Sequence, residues 1–328
     1  MRKRNMPAGD ASPEALPPVR PVRRRAIAHL VILVVSLALV VVSAAMTAPR
    51  RRDTWRDSWT VRPLAIAHRG DDSAPENSLH AIVNAGARGA DYAEIDIRLD
   101  ADGTPVVFHD QRTGRLSADG RNVPVASMRT RELQRMPMRQ NGESFHIPTL
   151  EQAILAAQHT NGQLGLLLHL KTDDRHAPRV TGVVMRQVER RDFASRVMIM
   201  STDDTVIRII HHAHPDWLVG KCVSPAGHPR IAWPRGASFV VMRGNRLDPA
   251  VARRAARDGI PIYAGVSGDC REANRCLRLG ASGVLGDSAR RLGRVVDRHV
   301  VRVDGRDTRD DAHARNQVDS VPWTHPLA

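Results

Sequence analysis

The side chains best suited to chemistry stand in or just after short apolar runs: His68, Arg69, Glu94, Asp96, His109, His169 and Lys171. Glu94 and Asp96 are two residues apart, as are His169 and Lys171, and residues at this spacing in a strand face the same side. Two carboxylates with a further ligand hold a hard divalent cation such as Mg²⁺ or Ca²⁺. Such a cation polarises phosphoryl oxygens. These residue types therefore predict a metal-assisted reaction on a phosphodiester.

The other side chains of this group fit the same chemistry. Arg69 matches a phosphate bidentately, and Lys171 adds a point charge. His68 and His109 are suited to general base and general acid roles, because imidazole titrates near neutrality. Each residue taken alone has a simpler interpretation, such as a hydrogen-bonded histidine at a strand end or an ion pair on a solvated strand face. Their repeated occurrence in and after apolar runs favours an active site.

Short apolar runs alternate with amphipathic stretches from Pro63 onward, which predicts strands alternating with helices. Strands are expected at Leu64–His68, Asp91–Ile97, Pro105–His109, Leu164–Leu170, Arg196–Met200, Leu218–Cys222, Ser238–Met242, Ile260–Ala264 and Gly283–Leu285. Helices are expected at Ser78–Arg88, Leu150–His159, Pro178–Arg190, Asp203–His212, Pro249–Asp258 and Arg271–Leu279. This order predicts an α/β fold with a parallel sheet and helical crossovers.

The number of strands favours a closed barrel. The runs Asp91–Ile97 and Pro105–His109 are too close for a helix between them, so they are predicted to form a β-hairpin. Removing the second arm as an insertion leaves eight strands, which predicts a (β/α)8 TIM barrel over residues 63–300. An open doubly wound sheet is the alternative, but the sequence has no G-x-G-x-x-G phosphate loop to support it.

The N-terminal region predicts one membrane span. Residues from Ala26 to Met46 carry no charge apart from a titratable His29, and about 20 apolar residues cross a bilayer as a helix. We therefore expect a basic cytoplasmic arm over 1–25, a transmembrane signal anchor over 26–48 and a stalk over 49–62. The arginines of the arm place the barrel outside the cytoplasm, although Arg50–Arg52 weaken this rule. A cleaved signal peptide ending near Ser43–Ala45 is the alternative.

The charge is concentrated in this same region. Of the net +14, residues 1–62 contribute +8, from twelve Lys or Arg against four Asp or Glu. Aromatic residues make up only 3% of the chain, which argues against a nucleic-acid interface.

Residues 301–328 are polar and lack periodicity, so a disordered tail is expected. The three cysteines leave open a Cys270–Cys276 bridge or three buried thiols.

One continuous segment carries a family signature. The run from Ile66 to Asp110 contains HRG, PEN, GAD-x-x-E-x-D and DG-x-x-V-V-x-HD in that order. It resembles the signature of the glycerophosphodiester phosphodiesterase family, within the phospholipase C-like phosphodiesterase superfamily. Ile147–Glu151 and Leu279–Asp287 resemble two further motifs of that family. Several linked motifs in order are far more specific than any one of them.

The resemblance implies a TIM barrel that hydrolyses glycerophosphodiesters to glycerol 3-phosphate and an alcohol with a divalent metal. It implies acid and base roles for His68 and His109, and phosphate binding by Arg69, Lys171 and Asn77. It implies metal ligation by Glu94 and Asp96, with Glu76 as a further candidate ligand.

Three positions depart from the family's pattern. His169 stands where the family has a third metal carboxylate, which favours Mn²⁺ or another borderline metal over Mg²⁺ or Ca²⁺. Gly265 stands where the family has a tryptophan that lines the substrate pocket. The closing TD motif reads Gly286–Asp287. The acid, base and phosphate residues of the pattern are all present.

These features predict a single-pass cell-membrane phosphodiesterase with an extracytoplasmic catalytic domain, active in lipid metabolism. Its expected partners are a small-molecule or lipid-derived phosphodiester and the membrane, with no nucleic acid. Two alternatives stay open. One is a phospholipase D-like member of the same superfamily that cleaves intact lipids. The other is a degenerate barrel that binds a phosphodiester without turnover, which the changes at His169 and Gly265 motivate.

Overall fold

The computed structural model describes residues 58–160, 164–223 and 233–304, with backbone only at 58–61 and 301–304. The predicted arm over 1–25, the predicted anchor over 26–48 and most of the predicted stalk lie outside the described residues. Among the helices that are described, none has the length and apolar character that a membrane crossing requires.

The described strands are β1 Ser58–Val61, β2 Leu64–Ala67, β3 Tyr92–Leu99, β4 Pro105–Val107, β5 Met138–Gln140, β6 Glu143–Phe145, β7 Gly165–Leu170, β8 Val197–Ser201, β9 Leu218–Cys222, β10 Phe239–Arg243, β11 Ile262–Gly265, β12 Gly283–Gly286 and β13 Val301–Asp304. The described helices are α1 Leu79–Ala87, α2 Thr130–Arg135, α3 Leu150–His159, α4 Ala177–Arg190, α5 Asp204–Ala213, α6 Pro249–Arg257, α7 Cys270–Arg278 and α8 Ala289–Val296. The six predicted helices are present, each within one residue of its expected bounds.

Eight parallel strands close into a barrel. Their order is β2-β12-β11-β10-β9-β8-β7-β3, and β3 pairs again with β2. Closure confirms the predicted (β/α)8 barrel and excludes the open doubly wound sheet, which would leave two free edges.

Large and small residues alternate across the barrel interior. Phe239 and Tyr263 are fully buried there, with their rings 5.4 Å apart in an edge-to-face arrangement. Gly220 pairs directly with Phe239 in the sheet, and a Cβ atom at Gly220 would lie 2.3 Å from that ring. The interior therefore has a packed floor, as in other barrels of this type, and the open space lies above it.

Helix α8 was not predicted from the sequence. Its buried residues Ala289, Leu292, Gly293 and Val296 follow helical spacing, but four arginine and glycine residues within eight positions obscured that pattern. Its first backbone amide, at Ala289, donates to the buried Asp71 carboxylate at 2.9 Å. This bond ties the start of α8 to the loop that follows β2.

The insertion after β3 is larger than the predicted hairpin. The hairpin is present, since β4 pairs antiparallel with β3 from Leu99 opposite Pro105. Beyond it, the chain up to Pro148 forms a small lobe that contains α2 and the β5–β6 hairpin. The lobe has its own apolar cluster: Val106, Phe108, Leu116, Val125, Met128, Leu133, Met136, Met138, Phe145 and Ile147. Such short elements give little periodic signal, which is why the sequence predicted only the hairpin.

The barrel is flanked by a pair of terminal strands. β1 runs antiparallel to β13, with Ser58 opposite Asp304. These strands fall in segments for which the sequence predicted a stalk and a disordered tail, so paired strands replace irregular chain at those residues. The rest of the tail lies outside the described residues.

The cysteines are free thiols, with Cys276 buried, Cys270 exposed and Cys222 partly exposed, so the Cys270–Cys276 bridge is not formed.

Candidate active site

One cavity opens at the carboxyl ends of the barrel strands. Its volume is about 680 Å³, and its lining includes every side chain that the sequence singled out at the strand ends: His68, Arg69, Glu94, Asp96, His109, His169 and Lys171. Strand ends at one mouth bring together residues that lie a hundred positions apart in the chain.

Two carboxylates and an imidazole form a buried cluster on one side of the cavity. Asp96 of β3 and His169 of β7 are paired in register, and Nδ1 of His169 lies 3.3 Å from Asp96 and 3.6 Å from Glu94. The ligand atoms of all three lie within 4.8 Å of one another. Nε2 of His169 is buried and has no hydrogen-bond partner among the described residues. This donor set suits a divalent cation.

The two carboxylates of the cluster lie beside positively charged groups that shift the pKa values within it. Burial acts most strongly on Asp96 and raises its pKa, but the hydrogen bond to His169 and the Lys171 ammonium at 3.1 Å outweigh it and hold the pKa well below its usual value. For His169, burial lowers the pKa, yet Asp96, Cys222 and Glu94 together raise it well above 6.5. A proton on His169 thus supplies positive charge beside two buried carboxylates, as a metal cation would.

Asn77 holds Asp96 in place. Its amide nitrogen donates to Oδ2 of Asp96 at 3.0 Å, and its amide oxygen accepts from the Asp96 backbone at 3.0 Å. The backbone of Asn77 has a φ of +58°, a conformation that asparagine adopts more readily than most residues. Both ends of the amide are therefore engaged with Asp96. The predicted role of Asn77 in binding phosphate stays a prediction.

Glu76 lies with two arginines outside the metal-ligating cluster. Its carboxylate accepts from Arg69 at 2.9 Å and from Arg115 at 3.0 Å. Burial raises the pKa of Glu76, but Arg115 and Arg69 outweigh that effect and lower it overall. Gln140 of the insertion also bonds the Glu76 backbone at 2.7 Å. The structure thus gives Glu76 a part in holding Arg69, and its predicted metal ligation stays a prediction.

Arg69 and Lys171 bring positive charge to the cavity. The backbone amide of Arg69 donates to Oε2 of Glu94 at 3.0 Å, and its φ of +56° turns the chain sharply after β2. The Nε atom of Arg69 lies 3.4 Å from Asp96. Both cationic side chains therefore lie beside the carboxylate cluster.

The histidines at the other strand ends each contact an aspartate. Nδ1 of His68 lies 2.9 Å from Asp287, and Nδ1 of His109 lies 2.7 Å from Asp110. Burial lowers the pKa of His68, but Asp287 and then Glu94 outweigh it and raise the pKa above its usual value. At His109 burial prevails and the pKa falls. Opposite shifts in one cavity are the pattern expected for a general acid and a general base.

The family of this chain is identified by comparison with known proteins. The model of the glycerophosphoryl diester phosphodiesterase family matches residues 68–290, which is more than half of the chain. The chain belongs to this family. The matched range begins at His68 and includes both histidines, the carboxylate cluster and Asp287.

Relatives of this chain match it over different lengths. Bovine glycerophosphodiester phosphodiesterase 1 is 34% identical over 130 residues, which is 38% of this chain and 38% of the bovine protein. The match thus spans well under half of that relative. A glycerophosphodiester phosphodiesterase of Caldanaerobacter subterraneus is 24% identical over 71% of this chain and 97% of its own. The structure of an Oleispira antarctica phosphodiesterase with the product sn-glycerol-3-phosphate shares the fold, with a TM-score of 0.64, 24% identity and coverage of 72% and 97%.

The sequence analysis assigned no role to several side chains that the structure places at the site. Asp110 was part of the recognised HD motif, and Asp287, which follows β12, was part of the closing motif, so both had a visible signal. Arg115 and Gln140 had none, because they reach the site from an insertion whose fold was not predicted. Cys222 was seen only as a thiol, yet it ends β9 and lines the cavity.

Proposed function

We propose that this protein hydrolyses glycerophosphodiesters to glycerol 3-phosphate and an alcohol, with the help of a divalent metal. The observation that carries the proposal is the placement of two histidines, each in contact with an aspartate, in one cavity with a two-carboxylate cluster. Membership of the family supports the same reaction.

Glu94, Asp96 and His169 would hold the metal. Their donor atoms are close together, and the buried Nε2 of His169 lacks a partner among the described residues. When bound, the cation polarises phosphoryl oxygens and offsets the charge that develops on them. The imidazole favours a borderline ion such as Mn²⁺, whereas the family resemblance points to Mg²⁺ or Ca²⁺.

Arg69 and Lys171 would orient the phosphate. Glu76 keeps the Arg69 guanidinium at the cavity edge through a bond of 2.9 Å. The planar guanidinium can donate two parallel hydrogen bonds to phosphoryl oxygens, while the Lys171 ammonium adds charge without directional preference. These contacts would orient the diester so that its leaving oxygen lies beside one histidine and the nucleophile approaches from the side of the other.

His109 acts as the base and His68 as the acid. The neutral His109 ring donates Nδ1–H to Asp110, so Nε2 takes the proton of the attacking hydroxyl. That hydroxyl belongs to water or to the substrate's own glycerol, which would give a cyclic phosphate first. The protonated His68 ring donates Nδ1–H to Asp287 and gives its Nε2 proton to the leaving alkoxide. A phosphorus–oxygen bond forms to the nucleophile as the bond to the alcohol breaks.

We place this reaction outside the cytoplasm at a cell membrane. The uncharged run from Ala26 to Met46 and the arginines before it support a single-pass anchor with the barrel on the far side. Fusions of alkaline phosphatase and of a cytoplasm-only reporter after residue 62 test this topology. An active cytoplasmic reporter would reverse it, and a soluble mature chain beginning near Met46 would favour a cleaved signal peptide.

The activity is tested with glycerophosphocholine and the full-length protein in detergent. Release of glycerol 3-phosphate is measured with Mg²⁺, Ca²⁺, Mn²⁺ or Zn²⁺, and again in excess chelator. We expect turnover that chelation abolishes and that Glu94→Gln reduces by at least about 10²-fold, since a ligand of the metal is lost. Glu189→Gln, on the exposed face of α4, serves as the matched control.

Three results would contradict the proposal. Full turnover without metal would refute the metal-assisted mechanism. Metal binding without turnover on any diester would favour a binding barrel. Release of a head group from phospholipid vesicles, without hydrolysis of glycerophosphocholine, would favour a phospholipase D-like activity.

A further inference from the structure

The cavity continues well past the residues of the proposed mechanism. Its volume of about 680 Å³ lies within the ~300–1,000 Å³ of pockets that take drug-sized ligands. The mechanistic residues line the side formed by the ends of β2, β3, β4 and β7. The far side is formed by the ends of β10 and β11 and has a polar rim of Arg243, Asn245, Ser267 and Glu272.

Arg243 stands across the mouth from the carboxylate cluster. It ends β10, which is four strands from β3 in either direction around the closed barrel. Its register partner is Gly265 of β11. Arg243 and Gly265 both line the cavity, and Gly265 has no side chain that could extend between Arg243 and the cavity interior.

The Arg243 guanidinium has no ion pair or hydrogen bond within residues 58–160, 164–223 and 233–304. The chain between β9 and β10 outside these ranges, residues 224–232, contains no Asp or Glu that could neutralise it. Arg275, close behind, donates to the carbonyl oxygens of Leu247 and Gly244 and so brings further positive charge. The far rim is therefore electropositive.

Glu272 is the acidic residue of this rim, and it is already engaged. Its Oε2 accepts from the backbone amide and from the hydroxyl of Ser267, both at 3.1 Å. This carboxylate holds the loop after β11 and forms no ion pair with Arg243 among the described residues. Val241, Met242 and Leu285 are buried beside the rim, and such apolar walls strengthen the field of a nearby charge.

The acid of the proposed mechanism shares its cavity with this rim. His68 and Arg243 line the same cavity, and the glycerol half of the substrate carries no charge of its own, so a charged group that reaches Arg243 would belong to the leaving alcohol. We propose that Arg243, with Asn245, forms a subsite for an anionic group on the leaving alcohol. The favoured substrates are then diesters whose alcohol carries a second phosphate or a carboxylate. This inference rests on the proposed function.

The subsite is tested with three diesters that share the glycerophosphate half. They are glycerophosphocholine, glycerophosphoglycerol and glycerophosphoglycerol phosphate, with cationic, neutral and doubly anionic alcohols. We expect kcat/KM of the full-length protein to be highest for the phosphorylated alcohol. Arg243→Gln should lower that value by about 10–100-fold, the worth of a hydrogen bond to a charged group, and change the neutral substrate by less than about twofold.

Two controls separate a subsite from other causes. Arg253→Gln removes an exposed arginine from α6, away from the cavity, and should leave the preference unchanged. Glu272→Gln tests whether the rim instead binds a cationic group of the alcohol. A selective loss on glycerophosphocholine in that variant would show that the rim receives a cation and would overturn the inference.

The remaining outcomes are distinct. If the wild-type protein hydrolyses the neutral diester but shows no preference for the anionic one, or if Arg243→Gln lowers all substrates equally, the subsite is wrong and the proposed function stands. If no diester is hydrolysed, the proposed function fails, and the subsite fails with it.

Discussion

His68 and Asp287 join the strands at which the barrel closes, with Nδ1 of His68 2.9 Å from Oδ1 of Asp287. β2 and β12 are the first and last strands of the barrel, and Gly286 of β12 also accepts the His68 backbone amide at 2.9 Å. The orientation of the proposed acid therefore depends on closure. A partly closed barrel would lose the acid before it lost the carboxylate cluster.

Asp287→Asn should reshape the pH profile. Burial alone lowers the pKa of His68, and the Asp287 carboxylate is the strongest influence that raises it. Activity requires neutral His109 and protonated His68, so kcat/KM should rise with pH through the lowered pKa of His109 and fall through the raised pKa of His68. Removing the carboxylate should move the alkaline limb to lower pH and reduce kcat by about 10²–10⁴-fold.

The pH profile of Asp72→Asn is the control for this variant. Asp72 pairs with Arg291 and lies in the same region without contacting the His68 ring. An alkaline limb that stays in place in Asp287→Asn would show that His68 is not the group titrating there.

His169→Glu should change the metal preference. Imidazole favours Mn²⁺ over Ca²⁺, whereas a third carboxylate favours Mg²⁺ and Ca²⁺. Calorimetric titration should show tighter Ca²⁺ binding and weaker Mn²⁺ preference in this variant. Because the wild-type ring must lose its proton to bind metal and its pKa is raised, wild-type affinity should fall steeply as pH drops. Equal metal affinities in the wild type and in His169→Ala would exclude His169 as a ligand.

Asn77→Ala should weaken metal binding through Asp96. The variant loses both hydrogen bonds to Asp96 and places alanine at a φ of +58°. We expect metal affinity to fall by about 10–100-fold, as for other residues that orient a ligand. Asn141→Ala is a matched control, because Asn141 has a φ of +52° but lies exposed in the turn between β5 and β6. Similar losses in both variants would indicate backbone strain as the cause.

Gly220→Ala should destabilise the barrel interior. The new methyl group would lie 2.3 Å from the buried Phe239 ring, and overpacking of this kind costs about 1–3 kcal/mol. Gly182→Ala, in α4, meets only the Arg186 guanidinium at 3.4 Å and should instead stabilise by up to about 1 kcal/mol. Thermal unfolding of the two variants should move in opposite directions. An unchanged Tm in Gly220→Ala would show that the floor is loosely packed.

The sequence was sufficient to predict the site residues that lie in or directly after the barrel strands. Glu94 could be assigned to the same face as Asp96, and His169 to the same face as Lys171, because side chains two residues apart in a strand share a side. Asp287 could not be assigned to His68, since that contact requires knowing that β12 lies beside β2. The roles of Asn77 and Glu76 depend on a turn and on an insertion, where neither periodicity nor spacing determines the partner of a side chain.

The central claim is that His68 protonates the leaving alcohol and His109 activates the nucleophile. It is tested most directly by comparing glycerophosphocholine with the p-nitrophenyl ester of glycerol 3-phosphate, whose phenolate departs without protonation. On glycerophosphocholine, His68→Ala and His109→Ala should each lower kcat by about 10²–10⁴-fold. On the p-nitrophenyl diester, His68→Ala should recover nearly wild-type turnover while His109→Ala stays impaired. Equal impairment of His68→Ala on both substrates, or recovery in His109→Ala, would contradict the account.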